Sequence, residues 1–382
     1  MVGPASSLSA SLLSDVIACL EWAERALRER VPAGFTEAAA ACAELLLRIE
    51  ADTAKAPGHE RLAAALWLKR GHLLEACGEV TDLVEALRGY DLAIALLVPD
   101  AAPEAVEVRA GAWLNRGNTL RRLASPASTP EAIRSYEHAI AELTTFAAEP
   151  RARGTIAAAW SNLGLARLAH GDAKAAAGAQ ARALALIADD AARGGVAALY
   201  HLYLGEARHA AGEPAAALEI FRDVLAALAP REASDATALE TGLRARHAAC
   251  RVLADQLEAE DEEVTDATHA RLAEATALVG GGLGLLRALG AATAAATRNA
   301  GARLFEFGAW LYRCFGTGQL APYLAEYALA AEFPERAGIA RAAIAELRTE
   351  LLGRGFEQLT GEAAEQVLAE LAALRAVEQH LN

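Results

Sequence analysis

Two residue patterns in this sequence could bind a ligand or support chemistry. The first is Glu206 and His209, which are three residues apart and project from one face of a helix, as in the Glu-x-x-His pairs that bind metal ions. His201 is the nearest further residue of a metal-ligating type. The sequence contains no second Glu-x-x-His and no His-Glu-x-x-His, so we expect no metal at this position.

The second pattern consists of side-chain amides and arginines. Asn115 and Asn162 each follow a tryptophan by two residues, and Arg121 and Arg122 form a basic pair. An amide both donates and accepts hydrogen bonds, so it can hold an extended peptide backbone. An exposed arginine often has no functional role, so the basic pair is either part of a binding surface or only solvated. The sequence has no nucleophile motif and no phosphate-binding motif, and we expect neither enzymatic activity nor a cofactor.

Composition and charge narrow the class of partner. The chain has 382 residues and a formal net charge of −14, which argues against binding to nucleic acid or to an anionic membrane. Hydrophobic residues make up 54% of the chain but aromatic residues only 5%, so its apolar content is mostly alanine and leucine, which favour helices. The five cysteines are isolated and no signal peptide is evident, so we expect free thiols and a cytoplasmic protein.

The segments that carry these polar residues repeat along the chain. A bulky residue precedes a glycine by four positions in each of four segments, and the four glycines are separated by 46, 47 and 41 residues. The pairs are Trp67 and Gly71, Trp113 and Gly117, Trp160 and Gly164, and His201 and Gly205. A period in this range is typical of a solenoid built from helix pairs.

Each segment has a second half with a small–large–small pattern at helical spacing. The central residues of these patterns are Tyr90, Tyr136, Gln180 and Phe221. Breakers such as Gly78-Glu79 and Gly171-Asp172 separate the two halves and predict a turn between two helices.

These features resemble the tetratricopeptide repeat. Trp160, Leu163 and Gly164 match the first helix of that repeat, and Ala217, Phe221 and Pro230 match the second. The resemblance covers about residues 57–230, which makes four units. Departures from the family pattern are Arg70 and Arg116 in place of leucine, Arg167 in place of tyrosine and His201 in place of tryptophan.

The resemblance predicts an all-α, right-handed superhelical solenoid of antiparallel helix pairs, with roughly eight pairs. We expect an N-terminal helix pair in residues 1–56, four repeats in 57–230, and degenerate repeats with capping helices in 231–382. The glycine-rich stretch from Gly280 to Gly284 predicts a helix break or hinge. Further pairs are expected near Arg298–Phe315 and Leu320–Phe333, and then at Ala337–Leu352 and Gly361–Leu381.

The resemblance also implies which residues line the concave face of the solenoid. The tryptophans are expected to pack between helices and not to clamp a ligand. The residues placed on or beside the concave face are His72, Glu75, Asn115, Asn118, Arg121, Arg122, Ser161, Asn162, Leu165, Leu202, Glu206 and His209. Chaperone-binding members of the family grip a terminal carboxylate with Lys, Arg and Asn, and of the matching positions here only Asn115 is retained.

The sequence therefore predicts a protein–protein interaction scaffold that binds a peptide or a helix of a partner in this groove. Two alternatives remain open: a regulatory module that senses a small ligand or peptide, and a self-assembling subunit such as a homodimer. The segment Gly361–Leu381 is a further candidate occupant of the groove.

Overall fold

The computed structural model describes residues 10–51, 58–97, 102–188, 194–259 and 265–289, with scattered residues between 297 and 311. Within these residues the chain forms helices and turns and no strand, which confirms the all-α prediction. The chain divides into two compact units, unit 1 (Met1–Asp190) and unit 2 (Ala191–Asn382).

Unit 1 contains eight of the described helices, which are listed here with their bounds. They are α1 (Ala10–Glu29), α2 (Pro32–Ala51), α3 (His59–Cys77), α4 (Val80–Leu97), α5 (Pro103–Leu123), α6 (Ser128–Leu143), α7 (Pro150–Ala169) and α8 (Ala173–Ile187). Each helix packs against the next one along the chain, and short connections make such neighbours antiparallel. The first helices of successive pairs also touch, α1 with α3, α3 with α5 and α5 with α7, so they form one continuous row.

The glycine that recurs four residues after the bulky position has a direct structural cause. A Cβ added at Gly117 would lie 2.6 Å from the ring of Tyr136, which is fully buried on the second helix of the same pair. Because real atoms do not approach so closely, only glycine admits this ring. The same contact joins Gly71 to Tyr90, Gly164 to Gln180 and Gly205 to Phe221.

The tryptophans of the repeats occupy packing positions. Trp67, Trp113 and Trp160 are half-buried, and each packs against buried core residues. The guanidinium of Arg70 lies 5.6 Å from the Trp67 ring centroid, and that of Arg116 lies 5.8 Å from the Trp113 ring centroid. The two arginines that replace the leucine of the family pattern therefore lie over these rings.

Unit 2 contains α9 (Gly194–Ala210), α10 (Pro214–Leu228), α11 (Ala236–Glu258) and α12 (Asp266–Leu289). The predicted break at Gly280–Gly284 is wrong, because α12 continues through these glycines. A Cβ at Gly282 would overlap the fully buried Leu304 and would lie 3.2 Å from Leu243, so this glycine serves close packing instead of bending the chain.

Several sequence-based expectations lie beyond the described residues. The helices predicted at Leu320–Phe333, Ala337–Leu352 and Gly361–Leu381 are outside them. The division into residues 1–56, 57–230 and 231–382 stays a prediction. None of the described helices has a stretch that is long and apolar enough to cross a membrane.

The glycine contact predicts the sign of two matched substitutions in unit 1. Gly117→Ala should lower the free energy of unfolding by about 2 kcal/mol, because the buried Tyr136 ring must shift. Gly178→Ala in α8 should raise it by about 0.5–1 kcal/mol, because a Cβ there meets nothing within 4 Å and alanine favours the helix. Urea unfolding followed by circular dichroism measures both. Equal stability of the two variants would contradict this account of the spacing.

Candidate functional site

Polar side chains of three successive first helices are joined by hydrogen bonds in unit 1. The amide row, as we call it, consists of His72 on α3, Asn115 and Asn118 on α5, and Asn162 on α7. Asn115 Nδ2 lies 2.6 Å from His72 Nε2, and Asn118 Nδ2 lies 3.4 Å from Asn115 Oδ1. Asn162 Nδ2 donates to Asn118 Oδ1 over 3.0 Å, so the row crosses three helices.

Two tyrosines of the second helices donate hydrogen bonds to side chains of the first helices at this row. Since Gly117 lets the Tyr136 ring pass close to α5, the Tyr136 hydroxyl reaches the face next to Asn118 and donates to its Oδ1 over 3.0 Å. In the preceding pair, the Tyr90 hydroxyl donates to Glu75 Oε2 over 3.1 Å. Burial raises the pKa of Tyr136 to about 12, so its hydroxyl keeps its proton and remains a donor at neutral pH.

His72 enters the row as a neutral imidazole. Burial and, to a smaller extent, the positive charge of Lys69 lower the pKa of His72 to about 4, although the charge of Glu24 opposes them. The Asn115 amide nitrogen can only donate, so His72 Nε2 must accept and the imidazole proton must be on Nδ1.

Glu75 and Arg122 neutralise each other at one edge of the row. Arg122 Nη1 donates to the Glu75 carbonyl oxygen over 2.7 Å and lies 3.4 Å from Glu75 Oε1. The predicted basic pair is thus reduced to Arg121, which is exposed. Beside this link is an open hollow of about 380 Å³, lined by Leu27, His72, Glu75, Ala76, Asn115 and Arg122.

The middle of the row is saturated and one end is open. Both Asn115 amide hydrogens are used, by His72 and by the Gly111 carbonyl oxygen, and Asn118 Oδ1 accepts two bonds. Among the described residues, Asn162 Oδ1 and the second hydrogen of its amide have no partner. Asn162 is therefore the member of the row that keeps both a donor and an acceptor for a ligand.

Two of the predicted groove residues are buried and are corrected here. Ser161 is 2% exposed and Leu202 is fully buried, so neither side chain can contact a ligand. Both come one residue after the bulky position of their repeat, where Leu68 and Leu114 of the other repeats are half-buried. Leu114, at the same position, packs against a buried core cluster.

The other predicted residues are at least partly exposed. Leu165 is half-buried one turn after Asn162, on the face of α7 that carries that amide. In unit 2, His209 Nε2 lies 2.8 Å from Asp255 Oδ2, and Glu206 is half-buried. The described residues contain no group of three or more His, Cys, Asp or Glu side chains that could hold a metal ion.

Sequence reasoning missed the two tyrosine hydroxyls. The small–large–small pattern indicates only that Tyr90 and Tyr136 fill the large position of the second helix. The available signal was their residue type, because phenylalanine fills the same position in unit 2 and brings no hydroxyl.

No family model matches the chain, and no curated protein matches it. Among solved structures, it is similar to a protein described as a kinesin light chain with TPR-like repeats from Podosopora anserina, at 16% identity and a TM-score of 0.45, over 57% of this chain and 97% of that one. It is also similar to MamA, at 16% identity and a TM-score of 0.40, over 57% of this chain and 93% of that one.

A third similar structure is the apo form of RapI, at 9% identity and a TM-score of 0.44, over 83% of this chain and 98% of that one. Likeness at this level assigns no function. The resemblance to the tetratricopeptide repeat is confirmed as a fold, since the glycine contact recurs in four helix pairs with the spacing that predicted it.

The neutral His72 predicts a pH dependence of stability. Its pKa is about 4 in the folded protein and about 6.5 when unfolded, so between these values the unfolded chain binds more protons. The His72 contribution is complete above pH 6.5 and is lost as the pH falls to 4, by up to about 3 kcal/mol. We expect the decline of unfolding free energy on acidification to be shallower in His72→Gln.

The imidazole NMR signal of His72, assigned by its loss in His72→Gln, checks the same point. It should stay at its neutral position down to about pH 5. A titration midpoint near 6.5 would contradict both the buried neutral form and the direction of its hydrogen bond.

Proposed function

We propose that this chain is a non-enzymatic interaction module that binds a peptide segment of a partner protein along the first helices of unit 1. The observation that carries the proposal is the amide row, which ends at Asn162 with a donor and an acceptor that no described residue pairs. A peptide backbone offers one donor and one acceptor per residue, so it matches a side-chain amide in both respects.

The fixed geometry of the row favours binding. Asn118 is held by Tyr136 and Asn115, and it in turn holds Asn162 through Nδ2. A side chain that is already positioned loses less conformational entropy when a ligand binds. Asn118 is thus a positioning residue, and Asn162 is the residue that contacts the peptide.

The surroundings of the row indicate a peptide of mixed polarity. Leu165 offers an apolar contact next to Asn162, and Arg121 offers an exposed positive charge on α5. At the α3 end, the open hollow beside His72 has room for a side chain. A segment lying across α7, α5 and α3 would use these three contacts in turn.

The test selects short linear peptides from a random library with the full-length chain and measures their affinities by calorimetry. For such peptides, Asn162→Ala should weaken binding by about tenfold, because two hydrogen bonds are lost. The control is Arg134→Ala, an exposed residue on the second helix α6, which should leave affinity unchanged.

Two outcomes would refute the proposal. One is a selection that recovers no binding peptide from a correctly folded chain. The other is a set of peptides whose affinity changes neither with Asn162→Ala nor with Leu165→Asp, since these substitutions alter the two contacts that the peptide requires.

A further inference from the structure

Unit 2 has a cluster of positive charge centred on α11, which packs against α9. Arg244, His247 and Arg251 come three and four residues apart on α11, so they share one face of that helix. Burial raises the pKa of the Glu206 carboxyl on α9. The charges of Arg244, Arg251 and Arg303, which lie nearby, partly oppose this rise. We refer to Arg244, Arg251 and Arg303 as the arginine cluster.

Among the described residues, the guanidinium groups of this cluster have no acidic partner within ion-pair distance. Arg244 Cζ lies 5.3 Å from the ring centroid of Tyr203, and this stacking leaves the edge of the guanidinium available to donate. Arg251 and Arg303 are exposed. Within the part of the chain that the structure describes, none of the three forms an ion pair or a hydrogen bond.

Other arginines of unit 2 behave differently. Arg222 binds Glu274 through two hydrogen bonds of 2.7 and 2.6 Å, and Arg246 is paired with the buried Glu232. Arg208 pairs with Glu213 and Arg231 pairs with Asp235. The arginine cluster is therefore an exception to the local pattern of paired charges.

The charges that face the cluster do not cancel it. Burial and the charges of Arg251 and Arg303 together lower the pKa of His247 to about 4, so this imidazole adds no charge at neutral pH. Asp255 is bonded to His209. Glu206 lies among the three arginines, and Glu240 and Asp255 lie on α11, four residues before Arg244 and four residues after Arg251. Among the described residues, none of these carboxylates forms an ion pair with the arginine cluster.

We propose that the arginine cluster binds an acidic peptide segment, whose side-chain carboxylates are received by the guanidinium groups. A guanidinium matches a carboxylate with two parallel hydrogen bonds. Arg244 and Arg251 are seven residues apart on α11, which separates their backbones by about 10 Å. Acidic side chains spaced along an extended peptide cover that distance, whereas a single phosphate group is too small.

Glu206 sets an upper limit on the strength of this site. Its carboxylate lies among the same arginines and competes with the carboxylates of the ligand. Removal of its charge should strengthen binding, whereas removal of an arginine should weaken it. The site is in unit 2 and does not rest on the amide row, and its test uses a different probe and different variants.

The experiment is a calorimetric titration of the full-length chain. The titrant is an end-blocked peptide that contains two glutamates three residues apart. Arg251→Gln should weaken binding by about tenfold. Arg222→Gln removes the same charge from an exposed arginine on α10 and should leave affinity unchanged. Glu206→Gln should strengthen binding severalfold.

Three results would overturn the proposal. The first is equal binding of the peptide with glutamines in place of the glutamates. The second is an equal effect of Arg251→Gln and Arg222→Gln, which would indicate only general attraction by net charge. The third is binding of inorganic phosphate, titrated alone, as tightly as the acidic peptide, which would assign the site to phosphate. Melting curves of the variants confirm that each is folded.

Discussion

The close approach of a glycine on one helix to a ring on the next is the contact on which the rest of this structure depends. At Gly117 the missing Cβ is the space that the Tyr136 ring occupies, and the ring is fully buried there. Repetition of this contact fixes how far apart the two helices of a pair lie. Once that distance is fixed, α3, α5 and α7 can stack in a row, because each of these first helices makes the same glycine contact with its second helix.

The same contact connects packing to binding chemistry. Because the ring passes so close to the first helix, a tyrosine at this position delivers its hydroxyl to the opposite face, as Tyr136 does for Asn118. Where the residue is Gln180, its amide nitrogen donates instead to the Ser161 carbonyl oxygen within the core. Phe221 brings no polar group at all. The choice of one buried residue thus decides whether a repeat supports a polar surface.

The fold was predictable because its determinants are local and periodic. Trp160 and Gly164 recur in phase with their counterparts, and this phase predicts helix pairs without knowledge of the partners of any side chain. Gly282 has no such phase, so the sequence does not identify Leu304 as its partner, and the glycine run predicts a helix break in place of the observed close packing. Ser161 and Leu202 were misplaced for a related reason, because exposure depends on the neighbouring helix pair and not on the repeat itself.

The two candidate sites differ in what their residues lack. In the amide row the central donors and acceptors satisfy one another, so the row holds its shape without a ligand and offers only its end at Asn162. In the arginine cluster, by contrast, no ion pair joins an arginine to a described side chain, although Glu206 lies among the three. An unpaired charge attracts over a longer range than an amide, which requires contact. Recognition by unit 2 should therefore depend on the charge of a ligand, and recognition by unit 1 on its backbone geometry.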